Sequence, residues 1–236
     1  MRLTAMRFAK RFFLCAIASF ACGLAARAQE LQTANPDPAR FDAQIRAFDE
    51  WDRKNAFPRE AVLFVGSSSI RMWPTAQKFP GVPVVNRGFG GSHVSDVNHF
   101  ADRIVLKYAP RLIVFYAGDN DIEAGKPPQQ VFDDIQEFVT LVHERLPETN
   151  IIYLPIKPSL ARWPKWPQMQ DVNSRVEKFS QRNDRLIYVD TATPMLGNDG
   201  QPRPDLFLDD GLHLNARGYR LWTKVLKRRL EAVMAP

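Results

Sequence analysis

The sequence predicts an α/β fold, a three-layer α/β/α sandwich with a five-stranded parallel sheet. Short runs rich in β-branched and aromatic residues predict five strands, at residues 62–66, 84–86, 112–118, 151–156 and 186–190. Amphipathic stretches predict helices at about 94–108, 128–146 and 168–183, with a last one from about 216. Because the strand runs are apolar throughout, both faces of the sheet should be covered by helices.

A further helix is predicted before the first strand. Asp37 is placed to cap it, and Pro38 fits its first position. One apolar face recurs at helical spacing through Phe41, Ile45 and Phe48, and Trp51 would extend that face.

The first 28 residues have the layout of a secretory signal peptide. Basic residues precede an apolar stretch from Phe12 to Leu24, and the small-residue pattern Ala26-Arg27-Ala28 follows. The apolar part is shorter than the roughly 20 residues of a membrane span, which disfavours an uncleaved anchor, and the residues before Cys22 disfavour a lipoprotein. We expect cleavage after Ala28, a single domain over residues 29–236, and an exported protein, periplasmic or secreted, with no stable membrane span after cleavage.

Removal of this segment changes the charge balance of the chain. It carries five of the 32 Lys and Arg residues and no acidic ones, which leaves 27 basic residues against 26 Asp and Glu. The near-neutral mature chain therefore predicts no nucleic-acid partner. Both cysteines, Cys15 and Cys22, leave with the segment, so the mature chain has neither a disulfide nor a thiolate metal site.

Four polar loops should meet at one edge of the sheet, since parallel sheets bind ligands beyond the carboxyl ends of their strands. The serines 67–69 follow the first strand, "NRGFGGSH" the second, "GDNDIEAG" the third, and "DLFLDDGLHLN" lies beyond the fifth. Taken alone, each loop has an ordinary structural explanation. The serines suit a helix cap, the glycines a tight turn, and Asn120 an Asx turn.

The serine run matches neither the Gly-x-Ser-x-Gly elbow nor a phosphate-binding loop. A nucleophilic serine would need a base, and the chain has four histidines to supply one: His93, His99, His143 and His213. The spacing Asp-x-x-His occurs twice. Asp96 and His99 lie inside a predicted helix, where a solvated pair is the ordinary explanation. Asp210 and His213 lie in a loop ahead of the helix that Asn215 should cap, which favours this pair.

The four loops, in this order, resemble the SGNH hydrolases, also called the GDSL family of esterases and lipases. The resemblance spans about Val62 to Tyr219 and implies a flavodoxin-like SGNH hydrolase fold. It also implies a Ser-His-Asp triad and an oxyanion hole. The implied triad is Ser68, His213 and Asp210, and the implied oxyanion donors are Gly91, Asn120 and the amide of Ser68. Where the family has Gly-Asp-Ser this chain has Gly66-Ser67-Ser68, so Ser67 and Ser69 remain alternative nucleophiles.

The resemblance implies a serine esterase that needs no metal or cofactor, and the signal-peptide layout predicts that it is exported. Its substrate would be a small-molecule or saccharide ester: a small acyl (acetyl) ester, a lysophospholipid or another short-chain ester. The alternatives are a carbohydrate O-deacetylase of envelope or plant polysaccharide and, from another class, a non-catalytic periplasmic carbohydrate-binding protein.

Candidate substrate-binding residues are Asp121, Lys157 and Trp163. The tryptophans of "KPSLARWPKWPQM" suit contact with a sugar or an acyl chain, or plain packing. The oligomeric state does not follow from the sequence.

Overall fold

The computed structural model describes residues 33–234, whose centre is a five-stranded, fully parallel sheet. The strands are β1 (Val62–Gly66), β2 (Val84–Gly88), β3 (Leu112–Tyr116), β4 (Asn150–Tyr153) and β5 (Leu186–Tyr188). They lie in the order β2-β1-β3-β4-β5. The predicted fold class is confirmed. In this order the chain leaves β1 and β3 towards opposite sides of the sheet, which opens a crevice at their carboxyl ends.

Helices cover both faces of the sheet. They are α1 (Asp42–Lys54), α2 (Ser68–Arg71), α3 (Thr75–Lys78), α4 (Val94–His99), α5 (Ala101–Ile104), α6 (Asp119–Glu123), α7 (Pro128–Arg145), α8 (Trp166–Ser180) and α9 (Ala216–Met234). Short 3-10 turns lie at Pro38–Phe41, Leu106–Tyr108, Trp163–Lys165, Thr193–Met195 and Pro204–Leu206. Within residues 33–234, no helix has the length and apolar character required to cross a membrane.

The continuous apolar strands bury both of their faces. In β1, Leu63 and Val65 join a core with α1, α4, α7 and α8, whereas Val62 and Phe64 join a second core with α9. All five β1 residues are buried. The period-two alternation therefore divides the strand between two cores, and each face is fixed by its own layer of helices.

Two local predictions need correction. The helix expected over about 94–108 is divided into α4, α5 and a 3-10 turn, and the first break lies at Phe100, whose ψ of 9° departs from the helical value. The ring of Phe100 packs edge-on against Phe89 in the core. Trp51 does not extend the buried face of α1, because it is 45% exposed and lies against the guanidinium of Arg87.

The helix caps follow the predictions. The Asp37 side chain accepts a hydrogen bond from Ala39 N at the start of the first 3-10 turn. Asn215 Oδ1 accepts hydrogen bonds from Arg217 N and Gly218 N at the start of α9. The predicted signal peptide, residues 1–28, lies outside the described residues, and both it and the single-domain boundary at residue 29 stay predictions.

Gly66 ends β1 at a point where only glycine fits. Its φ is +135°, and a Cβ built there would lie 1.8 Å from the carbonyl oxygen of Tyr116 on β3. The next residue donates its amide to that same oxygen, from Ser67 N at 3.0 Å. The close approach turns the chain sharply out of β1, so the serines emerge at the crevice.

Gly66→Ala should destabilise the fold strongly, because its Cβ must push β1 and β3 apart and its φ is strained. We expect the free energy of unfolding to fall by more than about 3 kcal/mol, measured by urea denaturation. Gly81→Ala is the control: its φ is +81° but a Cβ there meets nothing within 4 Å, so about 1 kcal/mol is expected. Equal losses for the two variants would contradict the steric argument.

Candidate active site

The structure separates the three consecutive serines by exposure. Ser67 and Ser69 are 0% and 1% exposed, whereas Ser68 is only partly buried. Ser67 occupies the N-cap position of α2, but its side chain makes no capping hydrogen bond. Among these three, the middle hydroxyl is therefore the one that reaches the crevice.

His213 and Asp210 lie in line with the Ser68 hydroxyl. His213 Nε2 is 3.0 Å from Ser68 Oγ, and His213 Nδ1 is 2.6 Å from Asp210 Oδ2. A proton on Nδ1, donated to the carboxylate, leaves Nε2 free to accept the serine proton. This is the geometry of a nucleophile, a base and a carboxylate that orients the base.

Asp210 is held as a carboxylate by its own loop. Oδ1 accepts the amides of Leu212 and His213, each at 2.9 Å. The hydrogen bond from His213, followed by the Leu212 amide, lowers the pKa of Asp210 to about 2. The carboxylate therefore remains charged and able to orient the imidazole at all but strongly acidic pH.

The loop that carries this pair is tied to its surroundings at both ends. Leu208 N donates to His213 O at 2.8 Å, and Ala161 N donates to Gly211 O at 3.1 Å. Asn215 Nδ2 donates to Phe207 O at 2.8 Å. These bonds hold the imidazole over Ser68 from a segment 145 residues further along the chain.

Two of the expected oxyanion donors lie on the loops after β2 and β3, and the third, the Ser68 amide, lies at the start of α2. Gly91 is exposed, with φ at +81°, and a Cβ built there meets nothing within 4 Å. Asn120, in the first turn of α6, donates one Nδ2 hydrogen to Ser92 O at 3.0 Å. A primary amide has two donor hydrogens, so the second remains available. Ser68 N is at the first position of α2, where no intrahelical acceptor exists.

Asn86 joins the nucleophile helix to the second loop, a role that the sequence analysis missed. Its Nδ2 donates to Ile70 O at 2.8 Å, and its Oδ1 accepts from Gly88 N at 2.9 Å. Gly88 approaches α2 closely, since a Cβ there would lie 2.3 Å from Arg71 N. The sequence signal for this role was the single polar residue, Asn86, at the end of the apolar run "VVN".

Two predicted substrate-binding residues are corrected. Asp121 is fully buried, where its carboxylate accepts from Val94 N at 3.2 Å and from Lys126 Nζ at 2.9 Å. Lys157 is 1% exposed, with its ammonium 3.0 Å from Asp119 Oδ2. Each side chain is buried and forms an internal ion pair. Neither therefore reaches a surface where a substrate could contact it.

Trp163 is the third predicted contact, and the structure leaves it partly exposed. Its ring stacks on Trp166 with centroids 5.9 Å apart and packs against the core. One face of the Trp163 ring is therefore used for packing, and its contact with a substrate stays a prediction.

The second loop is stabilised by buried charge rather than by a solvated pair. Asp96 is 1% exposed and accepts from His93 N at 2.7 Å, and it also pairs with Arg40. The interpretation of Asp96 and His99 as a solvated pair was therefore wrong. Burial, with a smaller contribution from Lys126, lowers the pKa of His93 to about 4, so this histidine is neutral at physiological pH.

Arg162 is a second residue that sequence analysis missed. Its Nη2 donates to Asn120 Oδ1 at 3.1 Å, and its Nη1 lies 3.2 Å from Asp119 Oδ2. No local pattern in "KPSLARWPKW" distinguishes this arginine from an ordinary surface residue, because the contact joins positions 42 apart in the chain.

Comparison with known proteins decides the family. The sequence profile of the GDSL-like Lipase/Acylhydrolase family matches residues 69–221, well over half of the chain. The chain belongs to this family. The GDSL (SGNH) resemblance of the four loops is confirmed, and the chain is an ester hydrolase of this type. Because the match begins at Ser69, the interpretation of Gly66-Ser67-Ser68 as a variant of the family's first motif stays a prediction.

Individual relatives of this GDSL-type hydrolase are distant. The platelet-activating factor acetylhydrolase IB subunit alpha1 of Pongo abelii is 26% identical over 191 residues, which cover 78% of this chain and 80% of that protein. A GDSL-like lipase of Bacteroides thetaiotaomicron superposes with a TM-score of 0.68 at 20% identity, covering 84% and 98% of the two chains. A mutant acetyl esterase with an acetate ion superposes with a TM-score of 0.58 at 16% sequence identity. The match covers 73% of this chain and 97% of the esterase chain. The two superpositions show a common fold.

Proposed function

We propose that this GDSL-type hydrolase cleaves small acyl esters, acetyl esters foremost, of apolar alcohols, with Ser68 as its nucleophile. The observation that carries the proposal is the continuous line from Ser68 Oγ through the His213 imidazole to the Asp210 carboxylate, at 3.0 and 2.6 Å. A non-catalytic carbohydrate-binding protein would need no base held in this way.

The proposed reaction proceeds through an acyl-enzyme. Ser68 Oγ attacks the ester carbonyl carbon while His213 Nε2 takes its proton, and Asp210 stabilises the imidazolium. The negative charge that develops on the carbonyl oxygen is stabilised by the amides of Gly91 and Ser68 and by Asn120 Nδ2. His213 then protonates the leaving alcohol, and a water activated by the same imidazole releases the acid. Every proton is carried by His213, so these residues require no metal or cofactor.

Exposed apolar residues lie on the segments next to this polar centre. Among residues 33–233, four large apolar side chains are substantially exposed, and three of them lie on the segments that bear the triad or contact its loop. Met72 ends the nucleophile helix, Leu208 bonds His213 O through its amide, and Leu160 packs beside Gly211. An apolar group on the substrate would cover them, which favours an alkyl or lipid-like alcohol over a polysaccharide.

The acyl preference rests on the relatives. The Pongo abelii protein is named as an acetylhydrolase, and its similarity extends over most of both chains. We therefore assign the acetyl group to the small side of the ester and the apolar part to the alcohol, as in an acetate ester of a long alkyl alcohol. Deacetylation of a carbohydrate is the alternative that the substrate series below distinguishes.

A fluorophosphonate probe should attach to Ser68, because only this hydroxyl of the three has both exposure and a base. Peptide mapping should find the label there, and Ser68→Ala should lose it. Ser67→Ala and Ser69→Ala, whose hydroxyls are buried, should still be labelled. A label found on Ser67 or Ser69 would overturn the assignment.

Asn120→Ala should lower kcat by about 10²- to 10³-fold, the effect of removing one side-chain oxyanion donor. The KM should change little, because the donor acts on charge that develops only in the transition state. Steady-state kinetics on p-nitrophenyl acetate measure both constants. Asn55→Ala, at the exposed end of α1, is the matched control, and equal activity of the two variants would contradict the oxyanion role.

The substrate series varies one side of the ester at a time. With p-nitrophenyl esters, kcat/KM should fall from acetate to octanoate; with alkyl acetates, it should rise from ethyl to octyl, and acetylated xylan should be slow. Leu160→Ser and Leu208→Ser should each reduce kcat/KM for octyl acetate by about 3- to 10-fold, as expected for lost apolar contact, and leave ethyl acetate nearly unchanged. Trp51→Ser, an exposed apolar site on α1, is the control. Preference for acetylated xylan would favour the carbohydrate deacetylase instead.

A further inference from the structure

Arg162 lies beneath the candidate oxyanion site and contacts α6 along its length. Nη2 donates to Asn120 Oδ1 at 3.1 Å. Nη1 is 3.2 Å from Asp119 Oδ2, and Nε is 3.8 Å from the exposed Glu123 carboxylate. The side chain is only 13% exposed, so the guanidinium is held against this helix rather than extended into solvent.

A buried carboxylate, shared with a buried ammonium, anchors the guanidinium. Asp119 Oδ2 is shared by Arg162 and by Lys157 Nζ at 3.0 Å, and Lys157 also bonds the Tyr116 hydroxyl at 3.1 Å. Burial alone would raise the pKa of Asp119, but the charges of Lys157 and Arg162 outweigh it and lower that pKa. Asp119 therefore remains an anion that binds two cations.

The two hydrogen bonds of the Asn120 amide determine its orientation. Oδ1 accepts from Arg162, and Nδ2 donates to Ser92 O at 3.0 Å. A flipped amide would set its NH2 group against the guanidinium and its oxygen against a carbonyl oxygen, so two favourable contacts would become two repulsive ones. The second Nδ2 hydrogen thus has a single direction available.

The guanidinium also changes the amide as a donor. A cation bonded to the amide oxygen draws electron density away from the nitrogen, and hydrogen bonds in such a chain strengthen one another. The N–H that faces the reacting carbonyl then becomes a stronger donor without moving.

We propose that Arg162 is a positioning residue for the oxyanion hole, which holds and polarises the Asn120 amide through Oδ1. This inference rests on the proposed oxyanion role of Asn120. Arg162 touches no reacting atom in this arrangement, because Asn120 lies between it and the ester. Its contribution therefore belongs to the chemical step rather than to substrate binding.

A double-mutant cycle tests the proposal on p-nitrophenyl acetate. Arg162→Ala should lower kcat by about 10- to 100-fold, the range for loss of a hydrogen bond to a charged group, with KM within about two-fold of the wild-type value. In the Asn120→Ala background the same substitution should change kcat by less than about two-fold, because the amide through which it acts is gone. Arg185→Ala removes a surface arginine paired with Glu148 and is the matched control, expected to match wild type.

Two further measurements separate positioning from folding. Guanidinium ion at about 50 mM should restore part of the kcat of Arg162→Ala but none in the double variant. Arg162→Lys keeps the charge but lacks the planar fork that bonds two partners at once, so its kcat should fall between those of wild type and Arg162→Ala. Circular dichroism and thermal melting confirm that each variant is folded.

The outcomes are distinguishable. Two results would overturn the role of Arg162 while leaving Asn120 as the oxyanion donor. In one, the kcat losses of the two single variants multiply in the double variant; in the other, Arg162→Ala raises KM and leaves kcat intact. Full activity of Asn120→Ala would instead overturn the proposed oxyanion hole, and the positioning role with it. An impaired Asn120→Ala, together with a loss of kcat in Arg162→Ala that disappears in the Asn120→Ala background, supports both, whereas a fully active Arg162→Ala overturns the role of Arg162.

Discussion

The close approach of Gly66 to the Tyr116 carbonyl is the constraint on which the site depends. It brings the ends of β1 and β3 together at the point where the chain leaves these strands in opposite directions. A Cβ at residue 66 would clash with the Tyr116 carbonyl and force the two strands apart. Two further backbone bonds use the same junction, from Ser67 N to Tyr116 O and from Phe89 N to Gly66 O. The loops after β1, β2 and β3 therefore start from one shared backbone junction, and a displacement there would move all of them.

Buried charge then sets the fine geometry of these loops. Beneath the loop after β2, Asp121 and Asp134 both bond Lys126 Nζ, each at 2.9 Å, and Asp121 also accepts the Val94 amide. Beneath the loop after β3, Asp119 binds Lys157 and Arg162. Buried ion pairs of this kind contribute little net stability, because desolvation offsets the attraction. Their value here is directional, since Asp121 holds the Val94 amide at the start of α4 and Arg162 holds the Asn120 side-chain amide.

The surroundings of the candidate triad differ in character from its centre. The Ser68, His213 and Asp210 line is polar and partly open to solvent, whereas Met72, Leu160 and Leu208 on adjoining segments are exposed and apolar. Charge separation during acyl transfer requires the polar centre, while an apolar group of the ester would gain free energy only by covering the rim. Under the proposed function, this division would place the chemistry on the triad and the substrate selectivity on the apolar residues.

The sequence by itself determined the five strands, the main helices, the four loops at the carboxyl edge and the family, because periodicity and strand-following motifs are local properties of the chain. Its resemblance to the family also predicted that Ser68, His213 and Asp210 form one catalytic triad. Only the tertiary structure decided which serine is exposed, that Asp121 and Lys157 are buried, and that Arg162 reaches Asn120. These facts depend on contacts such as Lys157 to Asp119 and Arg162 to Asn120, which join residues 38 and 42 positions apart. The sequence around a charged residue does not indicate which distant residue will pair with it in the folded chain.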